Sequence, residues 1–217
     1  MTDTLCTLFR GGRVHNPAEP NATCIAVEGG LVSWIGPDTG IEQAGRVDEV
    51  VDLDGLFVAP AFVDAHVHTT DAGLAGTGLD LRTATSLEDL LTRLRGFAAD
   101  HRGAVVWAHG WDETGWPERR APTRAELDAA VGDRPAYVSR IDVHSAVVSS
   151  RLAADLDPAF VGFDAVGPLT RASHHQARLR ARQLLRPGER AAAQHWFLGQ
   201  CAARGIVAVH ELSLIHI

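Results

Sequence analysis

His66 and His68 are separated by one valine and follow an apolar run at residues 56–65. The run is short and rich in β-branched and aromatic residues, and these properties predict a buried strand. Because residues two apart on a strand point to the same face, both imidazoles leave the chain side by side. Two neutral imidazoles in this arrangement make half of a site for Zn²⁺ or a similar divalent ion. A lone His-x-His is more often a pair of hydrogen-bonded side chains without a metal, so the surrounding sequence has to decide.

The segments that must position these histidines alternate between strand and helix patterns. Leucines at helical spacing follow Ser86, a typical N-cap residue, and predict a helix over residues 86–99. Thr123 and Glu126 form a capping-box pattern ahead of a second helix, and a third helix is predicted over residues 187–204. Apolar runs predict further strands at residues 104–109, 136–141 and 206–210. Strands alternating with helices indicate an α/β fold with a parallel sheet.

Polar side chains follow these predicted strands, at the edge where parallel sheets bind ligands. Taken singly, each of them is more often a loop or capping residue with a satisfied hydrogen bond than a site residue. Position favours His144 and then Asp112. The full set comprises His109, Trp111, Asp112, Asp142, His144, His210 and Glu211. We interpret the pair His174-His175 as a solvated helix start, and Trp107, Trp116 and Trp196 as packing residues.

Composition excludes several classes of protein. The formal net charge is −7, with 46% hydrophobic and 22% charged residues, which argues against nucleic acid as a partner and is ordinary for a globular protein. The chain has no apolar stretch near 20 residues and no evident signal peptide, so we expect a cytoplasmic protein without a membrane span. Three scattered cysteines form neither a disulfide framework nor a Cys-x-x-Cys metal site.

Residues 58–68, Val-Ala-Pro-Ala-Phe-Val-Asp-Ala-His-Val-His, resemble the first barrel strand of the amidohydrolase superfamily. The usual form there is Val-x-Pro-Gly-Phe-Val-Asp-x-His-x-His, and Ala61 replaces its glycine. Later blocks resemble the amidohydrolase-3 or YtcJ-like branch, which includes N-substituted formamide deformylases. They lie at residues 110–112, 120–128, 134–138, 141–144 and 205–211.

The resemblance implies a partial (β/α)8 TIM-type metal-dependent hydrolase barrel over residues 58–211, preceded by a small N-terminal β-sandwich module over residues 1–57. About 155 residues are too few for a whole barrel, which needs about 250. His66 and His68 would hold a divalent metal, with zinc the first choice. His144, Asp112 and Trp111 would bind substrate. An Asp proton shuttle is expected beyond the chain end.

The implied reaction is hydrolysis of carbon–nitrogen bonds other than peptide bonds, in a small amide or formamide substrate. The alternatives are a non-catalytic binding or regulatory protein, or a metal-dependent isomerase or esterase, on the same fold. All 20 residues of the Lys and Arg classes are arginine. No lysine of this chain can therefore serve as the carboxylated bridge between two metals that many amidohydrolases use, and Glu211 is a weaker candidate for that role. Homo-oligomerisation stays open.

Residues 212–217, Leu-Ser-Leu-Ile-His-Ile, differ in character from the rest of the chain. One reading frame of a transposon end used in library preparation encodes them, so we interpret them as a non-native, adapter-derived tail. The alternative is a natural apolar C-terminus. The adapter interpretation makes this chain an N-terminal fragment that we expect to be inactive by itself.

Overall fold

The structure is a computed structural model that describes residues 5–212. The chain divides into two compact units between Phe62 and Val63. The domain limits predicted from the sequence, residues 1–57 and 58–211, stay a prediction. All but the first residue of the proposed adapter tail, residues 213–217 with His216 among them, lie outside the described residues.

The first unit contains six short strands in two sheets. Strands β1 and β3 pair antiparallel, as do β3 and β4, while β5 joins the other edge of β1 in parallel. Strands β2 and β6 form a separate parallel pair. A mixed four-stranded sheet and a two-stranded one are present, and the sandwich arrangement stays a prediction. The strands are β1 (Cys6–Arg10), β2 (Arg13–Val14), β3 (Cys24–Glu28), β4 (Leu31–Gly36), β5 (Glu49–Asp52) and β6 (Phe57–Val58).

The hairpin between β3 and β4 follows directly from two glycines. Gly29 and Gly30 have φ angles of 59° and 79°. A two-residue turn of this type needs positive φ at both positions, which glycine adopts without steric strain. A glycine pair between two apolar runs is typical of a hairpin, and a hairpin is present here, with Glu28 opposite Leu31.

The second unit is a mixed α/β structure. Its strands are β7 (Phe62–Val67), β8 (Leu79–Asp80), β9 (Val106–Trp111), β10 (Ala136–Arg140), β11 (Ser145–Val148), β12 (Leu169–Thr170) and β13 (Ile206–Glu211). Its α-helices are α1 (Thr69–Thr77), α2 (Leu87–Asp100), α3 (Arg124–Val131), α4 (Ser150–Ala153), α5 (Arg171–Leu184) and α6 (Pro187–Ala202). In the part of the chain that the structure describes, no helix is both long enough and apolar enough to span a membrane.

Five strands of this unit form one sheet in the order β12-β11-β10-β9-β8. The pairs β8–β9 and β9–β10 are parallel, and the two pairs that follow are antiparallel. Because side chains alternate across a strand, Val106 and Val138 enter a core with α2 and α3, whereas Trp107 and Tyr137 enter a second core on the other face. Helices therefore cover both faces, as expected for buried parallel strands.

Strand β7 is not part of this sheet; its partner is β13. Strands were predicted at residues 104–109 and 136–141, and β9 and β10 lie there. The barrel that would join them to β7 stays a prediction. The predicted burial of β7 is wrong: Phe62 and Val63 are 69% and 53% exposed. A strand with one described neighbour leaves much of its surface uncovered.

The helix ends agree with the capping patterns in the sequence. The Ser86 side chain accepts a hydrogen bond from the Asp89 amide at the start of α2, and Thr123 and Glu126 form a complete capping box at the start of α3. Helix α1 was not predicted, and of α5 only a helix start at His174-His175 was. Helix α1 is rich in Gly and Thr, and α5 is rich in Arg and His, so neither has a clear apolar stripe.

Candidate metal-binding site

His66 and His68 lie at the end of β7 and just after it, and both side chains are exposed. Their ring centroids are 5.6 Å apart and the rings are nearly perpendicular, at 89°. The Asp64 carboxylate accepts a hydrogen bond from the His66 backbone amide at 3.0 Å, which fixes the chain next to the first histidine. The extended backbone thus places the two imidazoles as neighbours, as the spacing predicted.

The histidine pair fits two ligand positions of one divalent ion. With zinc–nitrogen bonds of about 2.0–2.1 Å, two imidazoles on one ion have ring centroids at most roughly 6.4 Å apart, and tetrahedral ligation brings them nearer. The observed separation of 5.6 Å is inside that limit. Among residues 5–212, however, no group of three or more His, Cys, Asp or Glu side chains is arranged to hold a metal. The described residues supply two ligands, and a catalytic zinc site needs three from protein.

Glu211 fixes the turn that follows the histidines. Its carboxylate accepts hydrogen bonds from the Thr69 amide at 2.6 Å and from the Thr69 hydroxyl. Glu211 is the last residue of β13, and Thr69 begins α1, so these bonds tie β13 to the end of β7. The carboxylate lies beside the histidine pair, where it orients the backbone.

A cavity of about 330 Å³ opens beside the two histidines, and we name it the Trp107 cavity. Helix α1 forms one wall and the ends of β9 and β10 form another. Most of the surface that faces the cavity is apolar, although polar side chains contribute to the lining, as in many small-molecule sites. The lining residues are His66, Val67, His68, Asp71, Ala72, Ala75, Trp107, His109, Tyr137, Ser139, Val143 and Arg178.

His109 and Ser139 form a polar pair in this cavity. Parallel pairing of β9 with β10 places the two residues opposite each other, and Nδ1 of His109 shares a 3.0 Å hydrogen bond with Oγ of Ser139. Burial lowers the pKa of His109, and the charge of Asp80 opposes that shift in part. The imidazole is therefore neutral near pH 7 and has the capacity to accept a proton.

Tyr137 and His174 form a second, deeper pair. The Tyr137 hydroxyl and Nε2 of His174 are 2.7 Å apart, and both side chains are buried. Burial lowers the pKa of His174 to about 4 and raises the pKa of Tyr137. The tyrosine therefore keeps its proton, and its hydroxyl shares a hydrogen bond with a neutral histidine. Trp107 packs against the Tyr137 ring at 4.6 Å between centroids and completes this wall.

An ion-pair cluster closes the cavity on the α5 side. The Asp71 carboxylate lies 2.5 Å from a guanidinium nitrogen of Arg182 and 4.0 Å from one of Arg178. Two guanidinium groups share one carboxylate, so the trio carries one net positive charge. The contact joins α1 to α5 next to the histidine pair.

Comparison with known proteins identifies the group to which this arrangement belongs. The Amidohydro_3 sequence model, which describes the amidohydrolase family, matches residues 49–215, well over half of the chain. The chain belongs to the amidohydrolase family. The match includes the His-x-His strand and every residue that lines the Trp107 cavity.

Individual relatives agree with this assignment and are all longer. The exoenzymes regulatory protein AepA of Pectobacterium carotovorum subsp. carotovorum is 26% identical over 152 residues, which is 66% of this chain and 33% of that protein. N-substituted formamide deformylase of Arthrobacter pascens is 29% identical over 133 residues, 59% of this chain and 24% of that protein. The crystal structure of an uncharacterized metal-dependent hydrolase from Pyrococcus furiosus has a TM-score of 0.74 and 26% identity, covering 96% of this chain and 44% of that one. The amidohydrolase chain described here thus spans a third or less of the two curated relatives.

The structure separates the three residues predicted to bind substrate. His144 lines a second cavity that also includes His68. Asp112 is exposed, caps a short 3-10 helix through Thr114, and lines neither cavity. Trp111 is 0% exposed and its indole nitrogen donates to the Val138 carbonyl, so the structure places it in the core and not at a ligand surface. An aromatic residue at the end of a strand can pack in the core as readily as it can bind a ligand, and the sequence pattern is the same in both cases.

Other interpretations of single residues also change. His174 lies in the first turn of α5, as predicted, but it is 5% exposed and hydrogen-bonded, so the prediction that it is solvated is wrong. Trp107 and Trp116 are buried, as predicted, whereas Trp196 is 40% exposed. Tyr137, Ser139 and Arg178 line the Trp107 cavity, and none of them was predicted as a site residue. Alternation along β10 could have paired Tyr137 with Ser139 on one face, but no local signal indicated Arg178.

Proposed function

We propose that this chain is part of a metal-dependent hydrolase that cleaves carbon–nitrogen bonds in small non-peptide amides, formamides among them. Family membership supports a hydrolase of this type, and the similarity to a formamide deformylase supports the choice of substrate. The observation that carries the proposal is the placement of His66 and His68 on the wall of the Trp107 cavity. Two side chains that can bind a metal ion therefore lie next to a cavity large enough for a small substrate.

His66 and His68 would hold the divalent ion, zinc by preference, together with ligands from outside the described residues. A bound ion supplies a Lewis acid that polarises the scissile carbonyl and makes water more acidic. The apolar walls at Trp107, Ala72 and Ala75 receive the organic part of the substrate and exclude bulk water.

His109 is the residue of this cavity best suited to move a proton. Its imidazole is neutral near pH 7 because burial lowers its pKa, and Ser139 holds it in one orientation. A general base must be unprotonated at the working pH and lie within reach of the reacting group. We assign His109 and Ser139 to substrate positioning and proton acceptance in the proposed enzyme.

A regulatory protein without catalytic activity is the second candidate. The similarity to AepA, whose name describes a regulatory protein, is the observation that favours it. Such a protein has no need of a stoichiometric metal ion. Metal content therefore separates the two candidates before any substrate is known.

Zinc binding by equilibrium dialysis tests the site on this chain. We expect weak binding of at most one ion, because only two ligands are described, and we expect His66→Ala and His68→Ala each to abolish it. His195→Ala is the matched control, since His195 is exposed on α6 and lines neither cavity. Equal zinc binding by wild type and His66→Ala would contradict the metal site.

Hydrolysis is measured on a protein that contains this chain and has the length of the curated relatives, with N-benzylformamide and the matching ester as substrates. We expect metal-dependent amide turnover that is lost in His66→Ala and His68→Ala, since each substitution removes a ligand. A metal-free protein without turnover, but with normal folding, would support the regulatory candidate. Turnover of the ester alone would indicate an esterase.

A further inference from the structure

The second cavity, which we name the Arg171 cavity, has a volume of about 800 Å³ and shares His68, Val143 and Arg178 with the Trp107 cavity. It is rich in basic side chains. Besides the shared residues, Arg171, His144 and His175 line it, and Asp142 is its one acidic residue. The two cavities thus form a continuous surface that starts at the histidine pair.

The residues that line the Arg171 cavity include two arginines and one carboxylate. The carboxylate is that of Asp142, which lies 2.8 Å from the Arg140 guanidinium, and Arg140 also contacts Glu113 at 3.0 Å and Asp112 at 3.5 Å. Arg178 shares Asp71 with Arg182, which leaves one positive charge on that trio. Within residues 5–212, Arg171 is exposed and forms no ion pair with a carboxylate. Among the lining residues, Arg171 and Arg178 stand against the one carboxylate of Asp142, so the lining itself has one formal positive charge.

We propose that the Arg171 cavity binds a carboxylate group carried by the substrate, so that the amidohydrolase acts on amides of an acidic compound. This inference rests on the proposed function, because it assigns the far end of the same substrate. The amide lies at His66 and His68, its organic part lies in the Trp107 cavity, and its carboxylate lies between Arg171 and Arg178.

The chemistry of the lining matches a carboxylate. A guanidinium group offers parallel N–H donors that pair with both oxygens of a planar carboxylate. The formal positive charge of the lining balances the negative charge of one carboxylate. Because the cavity is open, the bound anion stays partly in water, which limits the desolvation penalty. Arg171 has a φ of 51°, in the left-handed region where residues other than glycine are uncommon. The backbone that presents this side chain is thus sharply turned.

Two probes of the same shape test the proposal on this chain without requiring turnover. Calorimetry compares 3-phenylpropanoate with 3-phenylpropanamide, which differ in charge and not in size. We expect the carboxylate to bind about fivefold more tightly than the amide at low ionic strength. This ratio is the upper end of what one exposed ion pair contributes. We expect the preference to shrink as salt screens the charges.

Arg171→Gln removes one of the two cations and should reduce carboxylate affinity about two- to fivefold while amide affinity stays constant. Arg95→Gln is the matched control, because Arg95 is exposed on α2 and lines neither cavity. Arg178→Gln gives a second measurement, with circular dichroism to verify that the α1–α5 contact still allows folding.

Equal affinity for the two probes overturns the proposal, and so does an unchanged carboxylate affinity in Arg171→Gln. Tight binding of inorganic phosphate without a preference for the carboxylate also overturns it, since the cavity would then be a phosphate site. Failure of the proposed hydrolase would appear instead as absence of zinc and turnover, and the preference between the probes is measured independently of both.

Discussion

The buried pair of His174 and Tyr137 predicts that this protein loses stability in mildly acidic solution. His174 is 5% exposed, and burial lowers its pKa from 6.5 to about 4. The unfolded chain therefore takes up a proton on this histidine before the folded chain does. The stability contributed by neutral His174 is fully present above pH 6.5 and is lost as the pH falls toward 4.

The size of the effect follows from the two pKa values of His174. The difference between a pKa of 6.5 and one of about 4 corresponds to about 3 kcal/mol of the free energy of unfolding. About 2 kcal/mol of this contribution are lost when the pH falls to 5. Burial also lowers the pKa of His109 and of His101, so these residues act in the same direction. A variant is needed to isolate the share of His174.

His174→Gln provides that isolation, because glutamine does not titrate and its side-chain oxygen can still accept from the Tyr137 hydroxyl. Urea unfolding at pH 8 and at pH 5 should show wild type losing about 2 kcal/mol more than the variant. His195→Gln, at an exposed histidine, should behave like wild type. The reasoning is refuted if His174→Gln and wild type lose the same free energy of unfolding between these pH values.

Two further predictions concern folding stability, each measured by urea unfolding. Gly73→Ala should destabilise the protein by about 1–3 kcal/mol, because the new Cβ would lie 2.2 Å from the Ala193 carbonyl oxygen where α1 packs on α6. Gly96→Ala should stabilise it by about 0.5–1 kcal/mol, because a Cβ at that position would have no other atom within 4 Å. Equal effects at the two glycines would contradict this packing. Thr123→Ala should cost about 1 kcal/mol by removing the acceptor of the Glu126 amide, and an unchanged midpoint would show that the cap contributes nothing.

Local signals in the sequence predicted the features that depend on local physics. The His-x-His spacing fixed the relation of His66 to His68 through the two-residue period of a strand. Ser86 and Thr123 marked helix starts because their side chains satisfy amide groups a few residues ahead. Gly29-Gly30 marked a hairpin because both positions need positive φ.

The missed features depend on contacts between distant parts of the chain. The partner of β7 could not be predicted, since several apolar runs have the pattern of a neighbouring strand and pairing is decided by tertiary packing. Arg178 reaches the Trp107 cavity from a helix that has no clear apolar stripe, so no sequence pattern indicated it. Trp111 was assigned to substrate because a strand end was visible in the sequence, whereas the direction of its side chain was not.

The pairing of β7 with β13 has a consequence for the order of folding. The bonds between Thr69 and Glu211 join residues 142 positions apart, while the strands of the five-stranded sheet are close in sequence. Closing so long a loop costs more conformational entropy than forming nearby contacts, and distant pairings form slowly. We therefore expect the five-stranded sheet to fold first and to bring the two ends of the unit together. The histidine pair would then acquire its surroundings only in the last step, so the site matures after the scaffold.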